Sequence, residues 1–252
     1  MQHIRLSVLA LAIVASPVAM GAEIKVISAE AVRDALESVA AQYTKDSGNT
    51  VSFAFMTAGQ VRDKMQAGEA ADIAIASNTV IGGLVQAGKV TAPTDLGRIG
   101  LAVAVRDGAP LPDVSTPEAF VKALRAARAV SFTDPKAGGT AGIYFAGLLQ
   151  KLGVADEITK KAVYAHGGRD AAAKVASGEA EIGITFPSEI MPVKGAKVAG
   201  MLPASLQNYV TYAASIPAAG RNAEAARGYV AALTAASARE KWIAAGFEPL
   251  GK

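Results

Sequence analysis

Hydrophobic and polar positions along the chain switch repeatedly between a period of two and a helical period. The stretch "IKVIS" (Ile24 to Ser28) is a short β-rich run. It is followed by "AVRDALESVAAQYTKDSG", in which Val32, Ala35, Leu36, Val39, Ala40 and Tyr43 recur at helical spacing and Gly48 supplies a stop. "TVSFAFM" (Thr50 to Met56) alternates as a strand does, and "AGQVRDKMQAG" reads as a helix ended by Gly68. "ADIAIAS" (Ala71 to Ser77) and "TVIGGLVQAG" repeat the pair, the latter ending at Gly88. "GRIGLAVAVR" (Gly97 to Arg106) is the longest strand candidate. "TPEAFVKALRAA" begins with Thr116 as an N-cap, a proline next and an acid beside it. "AVSFT" (Ala129 to Thr133) leads through a glycine-rich turn into "AGIYFAGLLQKLG". "DAAAKVASG", "AEIGITF" (Ala180 to Phe186), "NYVTYAASI" and two alanine-rich helices complete the chain. Strand–helix alternation with short joints predicts an α/β fold with mainly parallel sheets. In such sheets ligands sit at the carboxyl ends of strands, where helices begin.

The first residues break this rhythm. "MQHIRLSVLALAIVASPVAMGA" pairs Arg5 with a short apolar run from Leu6 to Val14, then Pro17 and small residues. This is the pattern of a secretory leader over residues 1–22, cleaved near Gly21 or Ala22, and it places the mature chain in the periplasm. No later run is long and apolar enough to span a bilayer. Of 25 basic and 22 acidic side chains, Arg5 falls in the leader, leaving a mild excess of base with no basic cluster. Nothing there resembles a nucleic-acid footprint. The chain has no cysteine and two histidines, His3 and His166. Thiol nucleophiles, disulfides and a His-rich metal site are thereby excluded, and no cofactor is expected.

Four turns lead from strand to helix: "SAEAV" (Ser28 to Val32), "MTAGQV" (Met56 to Val61), "DPKAGGTAGIY" and "HGGRDA" (His166 to Ala171). Free N–H groups at a helix start, aided by the helix dipole, favour a negative ligand. Ser28, Thr57 and Thr140 add hydroxyls, Gly59 lies in the second turn, and Arg169 is the natural clamp for a carboxylate. "AGGTAG" lacks the Lys-Ser/Thr pair of a P-loop and the spacing of a dinucleotide motif.

Taken in order, "IKVISAEAVRDAL", "QAGEAADIAIAS", "DPKAGGTAGIYFAGLLQKLG" and "GEAEIGITFPSEI" resemble the periplasmic molybdate-binding protein family, solute receptors of ABC importers, over nearly the whole mature chain. The resemblance implies a type II periplasmic binding protein fold: two α/β lobes, two hinge crossings and a ligand cleft between the lobes. Lobe 1 is expected from 23–100 plus 212–252 and lobe 2 from 101–211. It further implies a monomer, a small anionic ligand and an importer's membrane component as partner. The family's two serine ligands fall on Ala31 and Ala58, its backbone N–H ligands on Ala141 and Gly168, and its tyrosine ligand on Phe186. Three hydroxyl donors are thus missing, with Thr57, Gln60 and Tyr144 as candidate replacements. The missing hydroxyls imply a larger, less polar pocket suited to a small carboxylate, while the resemblance itself favours a molybdate-like oxyanion, and both ligands stay open. Part of the broader family resembles periplasmic aconitate isomerase, for which Glu30 would serve as base and Tyr144 as acid.

Overall fold

The computed structural model describes residues 21–250, so the expected leader up to Met20 lies outside the described residues. The first passage runs β1 (Glu23–Ala29), a 3-10 turn (Glu30–Val32), α1 (Arg33–Ser47), β2 (Thr50–Met56), α2 (Ala58–Gln66), β3 (Ile73–Ser77), α3 (Asn78–Gln86) and β4 (Thr94–Ile99). The middle comprises β5 (Ala102–Arg106), α4 (Pro117–Ala126), β6 (Val130–Thr133), α5 (Thr140–Lys151), α6 (Ala155–Thr159), β7 (Ala162–Ala165), α7 (Gly168–Ser177), β8 (Ile182–Thr185), α8 (Pro187–Ile190) and β9 (Ala196–Met201). The chain closes with β10 (Val210–Ser215), α9 (Ala223–Thr234), α10 (Arg239–Ala244) and β11 (Glu248–Pro249).

Local chemistry accounts for the helix limits. Ala35, Leu36, Val39 and Ala40 form the buried stripe of α1, and Gly48 ends it at φ 73°, a left-handed conformation that glycine adopts without a Cβ penalty. Thr116 caps α4 by accepting a hydrogen bond from the Ala119 N–H at 3.1 Å, with Pro117 in the first turn.

The strands form two sheets. One has the order β11-β4-β10-β3-β1-β2, the other β7-β6-β8-β5-β9. Only β2, β1 and β3, and only β7, β6 and β8, pair in parallel; β10, β4 and β11 join the first sheet antiparallel, and β5 and β9 join the second antiparallel. The expectation of mainly parallel sheets is therefore corrected to mixed sheets. Parallel neighbours require a crossover element, whereas β4, β5, β9 and β10 are the strands by which the chain changes sheets.

The run "GRIGLAVAVR" is likewise two strands, one in each sheet, divided at Gly100 and Leu101. Alternation continues through the crossing, so the pattern conceals it. The second crossing runs between β9 and β10, and Gln207 on it ties the two together. Its Oε1 accepts from the Leu101 N–H at 2.7 Å, and its Nε2 donates to the Leu101 carbonyl at 2.9 Å. Gln207→Ala is expected to cost about 1 kcal/mol, because water replaces part of two half-buried bonds; urea unfolding measures it.

Candidate functional site

Parallel register sets Ala29 beside Met56 at the end of β1 and β2, and Thr133 beside Ala165 at the end of β6 and β7. Each sheet therefore presents two helix starts side by side, and the two sheets face these ends toward each other. Between them lies a small, partly open cavity of about 30 Å³. The first sheet contributes Ala29, Glu30, Ala31, Met56, Thr57, Ala58 and Tyr212 to its wall. The second contributes Thr133, Gly139, Thr140, Ala141, Gly167, Gly168, Phe186 and Glu189. All four predicted turns thus meet at one place.

The predicted residues divide by what their polar groups do. Ala31, Ala58, Ala141 and Gly168 line the cavity at helix starts, where N–H groups have no intrahelical partner. Phe186 lines it too and is buried edge-on against Tyr212. Thr57 accepts from the Gln60 N–H while the Gln60 amide accepts from the Thr57 N–H, a capping box that fixes the start of α2. The Thr140 hydroxyl lies beside the Tyr212 phenol. Ser28 is fully buried, donates to the Ala29 carbonyl at 3.0 Å and lies outside the cavity wall. The Gly59 N–H is spent on the Gly138 carbonyl at 3.0 Å. The Tyr144 hydroxyl donates to the Leu206 carbonyl at 2.9 Å, away from the cavity.

Arg169 does not enter the cavity. Its guanidinium spans from α7 to the other sheet's helices, bonding Asp34 at 2.6 Å and lying 3.8 Å from Glu30. Glu30 is also bonded to Arg33 at 3.1 Å. The sequence set Arg169 as a ligand clamp; Glu30 on the turn before α1 and Asp34 on α1 claim it, and it holds the halves together. Thr57 adds a bond across the gap to the Ala137 carbonyl at 2.6 Å. Gly59 and Gly138 meet so closely that a Cβ on Gly59 would lie 2.9 Å from the Gly138 Cα. Gly59→Ala is expected to hold the halves apart and weaken ligand binding at least about tenfold, with unfolding of the free protein nearly unchanged; titration calorimetry beside thermal unfolding checks both.

Sequence reasoning missed Glu189. It sits on the first turn of α8, just after Pro187, and is 6% exposed. Its carboxyl accepts a 2.5 Å hydrogen bond from the Thr185 hydroxyl and packs against the Cα of Gly168, where a side-chain Cβ would fall 1.9 Å from Oε2. Burial, reinforced by the Glu30 charge, pushes the Glu189 carboxyl up to about 7, against the lowering effect of the Thr185 bond. Burial also raises the Tyr212 phenol, so it stays protonated. The one available signal was an acid a turn beyond the strand "AEIGITF", a place that glycine-rich turns drew attention away from.

Phe186 and Tyr212 stand beside Ala31 and Ala58 in the cavity wall, and about 30 Å³ holds a group of few heavy atoms. Outside it, Gln60, Lys64, His166 and Asp170 border an open vestibule of about 500 Å³. A groove of similar volume near Arg106, Leu111 and Arg128 lies on the far side of the second sheet, away from the turns. Among the described residues, no three His, Asp or Glu side chains gather as metal ligands, and no helix is long and apolar enough to cross a membrane.

Two mixed α/β sheets, crossed twice by the chain and closed over an intersheet cavity, define a type II periplasmic binding protein fold. The chain belongs to the bacterial extracellular solute-binding protein family, whose model matches residues 24–248. It is 27% identical over 232 residues to an aconitate isomerase of a Pseudomonas species, covering 89% of this chain and 87% of that one. It is 27% identical over 220 residues to the molybdate-binding protein ModA of Escherichia coli K12, covering 85% of each. The solved periplasmic molybdate-binding protein of Azotobacter vinelandii superposes with a TM-score of 0.75 at 21% identity, over 91% of this chain and 100% of that one.

Proposed function

We propose that this chain is a periplasmic receptor that closes on a compact anion and delivers it to the membrane component of an ABC importer. The observation that carries the reading is the convergence of four helix starts on one cavity, the arrangement that supplies N–H groups and dipoles to an anion without a fixed cation. The expected division, 23–100 with 212–252 against 101–211, serves in this reading as two jaws of a monomer, and sheet membership supports it. Ala31, Ala58, Ala141 and Gly168 are the proposed contacts. The small cavity favours a tetrahedral oxyanion, of the kind its molybdate-binding relatives are named for, over a tricarboxylate.

A thermal-shift panel of molybdate, tungstate, sulfate, phosphate, citrate and both aconitate isomers tests this. An anion at about 1,000 times its dissociation constant adds about 4 kcal/mol, a rise of roughly 8–16 °C for a chain of this size. A shift with one or more oxyanions is expected; no shift with any anion contradicts the reading.

A second reading, an isomerase acting on a small tricarboxylate, is favoured by the Glu189 carboxyl, held near neutrality at the cavity wall as a proton-transferring group would be. Glu30 and Tyr144, the residues the sequence offered for that role, are engaged with Arg33 and Leu206. Interconversion of cis- and trans-aconitate by the wild type, lost in Glu189→Gln, is the result this second reading requires.

A further inference from the structure

The cavity wall contains two carboxyl groups, Glu30 and Glu189, and no basic side chain. The two acids differ in their partners. Glu30 has Arg33 at 3.1 Å and Arg169 at 3.8 Å. Among the described residues, no cation forms an ion pair with Glu189. Its neighbours are the Thr185 hydroxyl from β8, the Phe186 N–H, the Tyr212 phenol from β10, Glu30 from the turn before α1, and Arg169 on α7, whose guanidinium is bonded to Asp34. Its carboxyl stands against Gly168, at the helix start where an anion's oxygen would otherwise rest.

We propose that Glu189 is a specificity-determining residue: it shares one proton with the bound ligand, so the site takes a compact anion together with a proton. The inference rests on the anion-receptor reading above. A charged carboxylate and a fully ionised anion in so small a space would repel each other with no cation between them. One proton removes the conflict in either of two ways. It resides on Glu189, which donates to a fully ionised oxyanion, or it arrives on the ligand, whose hydroxyl donates to Glu189. Burial of Glu189 and the nearby Glu30 charge set its own protonation at about 7, so the exchange falls within an accessible pH range.

Sulfate and molybdate carry no proton of their own between about pH 6 and 9, so they are the direct probes. Titration calorimetry on wild-type protein, in two buffers of different ionisation enthalpy, is expected to show uptake of close to one proton at pH 8. Affinity should fall about tenfold per pH unit above about 7. In Glu189→Gln both effects should vanish. Binding of monohydrogen phosphate at pH 8 without proton uptake, with sulfate excluded and the exclusion relieved by Glu189→Gln, is the same result with the proton arriving on the ligand. Sulfate or molybdate affinity that stays flat from pH 6 to 9 with no proton uptake overturns the proposal and leaves the receptor reading standing. No binding of any of these anions, or of citrate or aconitate, at any pH overturns the receptor reading and the proposal with it. The wild-type buffer comparison does not depend on whether the variant folds.

Discussion

Gly142→Ala is expected to destabilise the protein by about 1–2 kcal/mol and to abolish tight anion binding. Gly142 lies in the first turn of α5, and a Cβ there would fall 2.1 Å from the Thr133 carbonyl oxygen at the end of β6. That oxygen belongs to the backbone of a buried strand and cannot rotate aside, so the helix must lift. Overpacking of this kind costs about 1–3 kcal/mol and sometimes more, offset by up to about 1 kcal/mol of better helix propensity. Lifting α5 carries Thr140 and Ala141 out of the cavity wall. The same helix supplies its own control: Gly147 is exposed, and a Cβ added to it would have no atom within 4 Å. Gly147→Ala is expected to stabilise the protein by about 0.5–1 kcal/mol and leave binding intact. Chemical unfolding and anion titration of the two variants separate these outcomes.

Glu189→Gln is expected to be more stable than the wild type at pH 8 by up to about 3 kcal/mol, with the two curves meeting near pH 4.5. The sign follows from the direction of the shift. The folded state holds the Glu189 proton up to about 7, the unfolded chain only to about 4.5, so the contribution is complete below 4.5 and is lost as pH rises through 7. The amide keeps an acceptor for the Thr185 hydroxyl and carries no charge at any of these pH values. Urea unfolding from pH 4.5 to 8.5 measures the difference; parallel curves would mean that Glu189 is ionised in the fold throughout.

Much of this architecture is legible in the chain because burial and backbone geometry agree. The stripe Ala35, Leu36, Val39, Ala40 followed by Gly48 says where α1 lies and where it ends, and Thr116 with Pro117 announces α4. The elements that were missed are short or lack a one-sided pattern. Both α6 and α8 are under two turns, and β7 and β9 stand at sheet edges with partly exposed residues. The crossing at Gly100 is hidden because alternation continues into the second sheet. Within the site, the four turns could be read from glycine and hydroxyl residues before helices. Side-chain destinations could not. Arg169 turns toward Asp34 and Glu30, acids on the facing helix and the turn before it, and that pairing exists only once the sheets face each other. Glu189 acquires its role from the same tertiary meeting, against Gly168 and Thr185.

The central claim is that helix starts from both sheets grip one anion between them. A crystal structure of the mature protein with the anion that gives the largest thermal shift tests it most directly. The anion is predicted between the sheets, with oxygens within about 2.7–3.2 Å of the Ala58 and Ala141 N–H groups and with Glu189 beside it. An anion seated in the groove near Arg106 and Arg128, or one with no atom in reach of the turn from Gly139 to Ala141, would contradict the account.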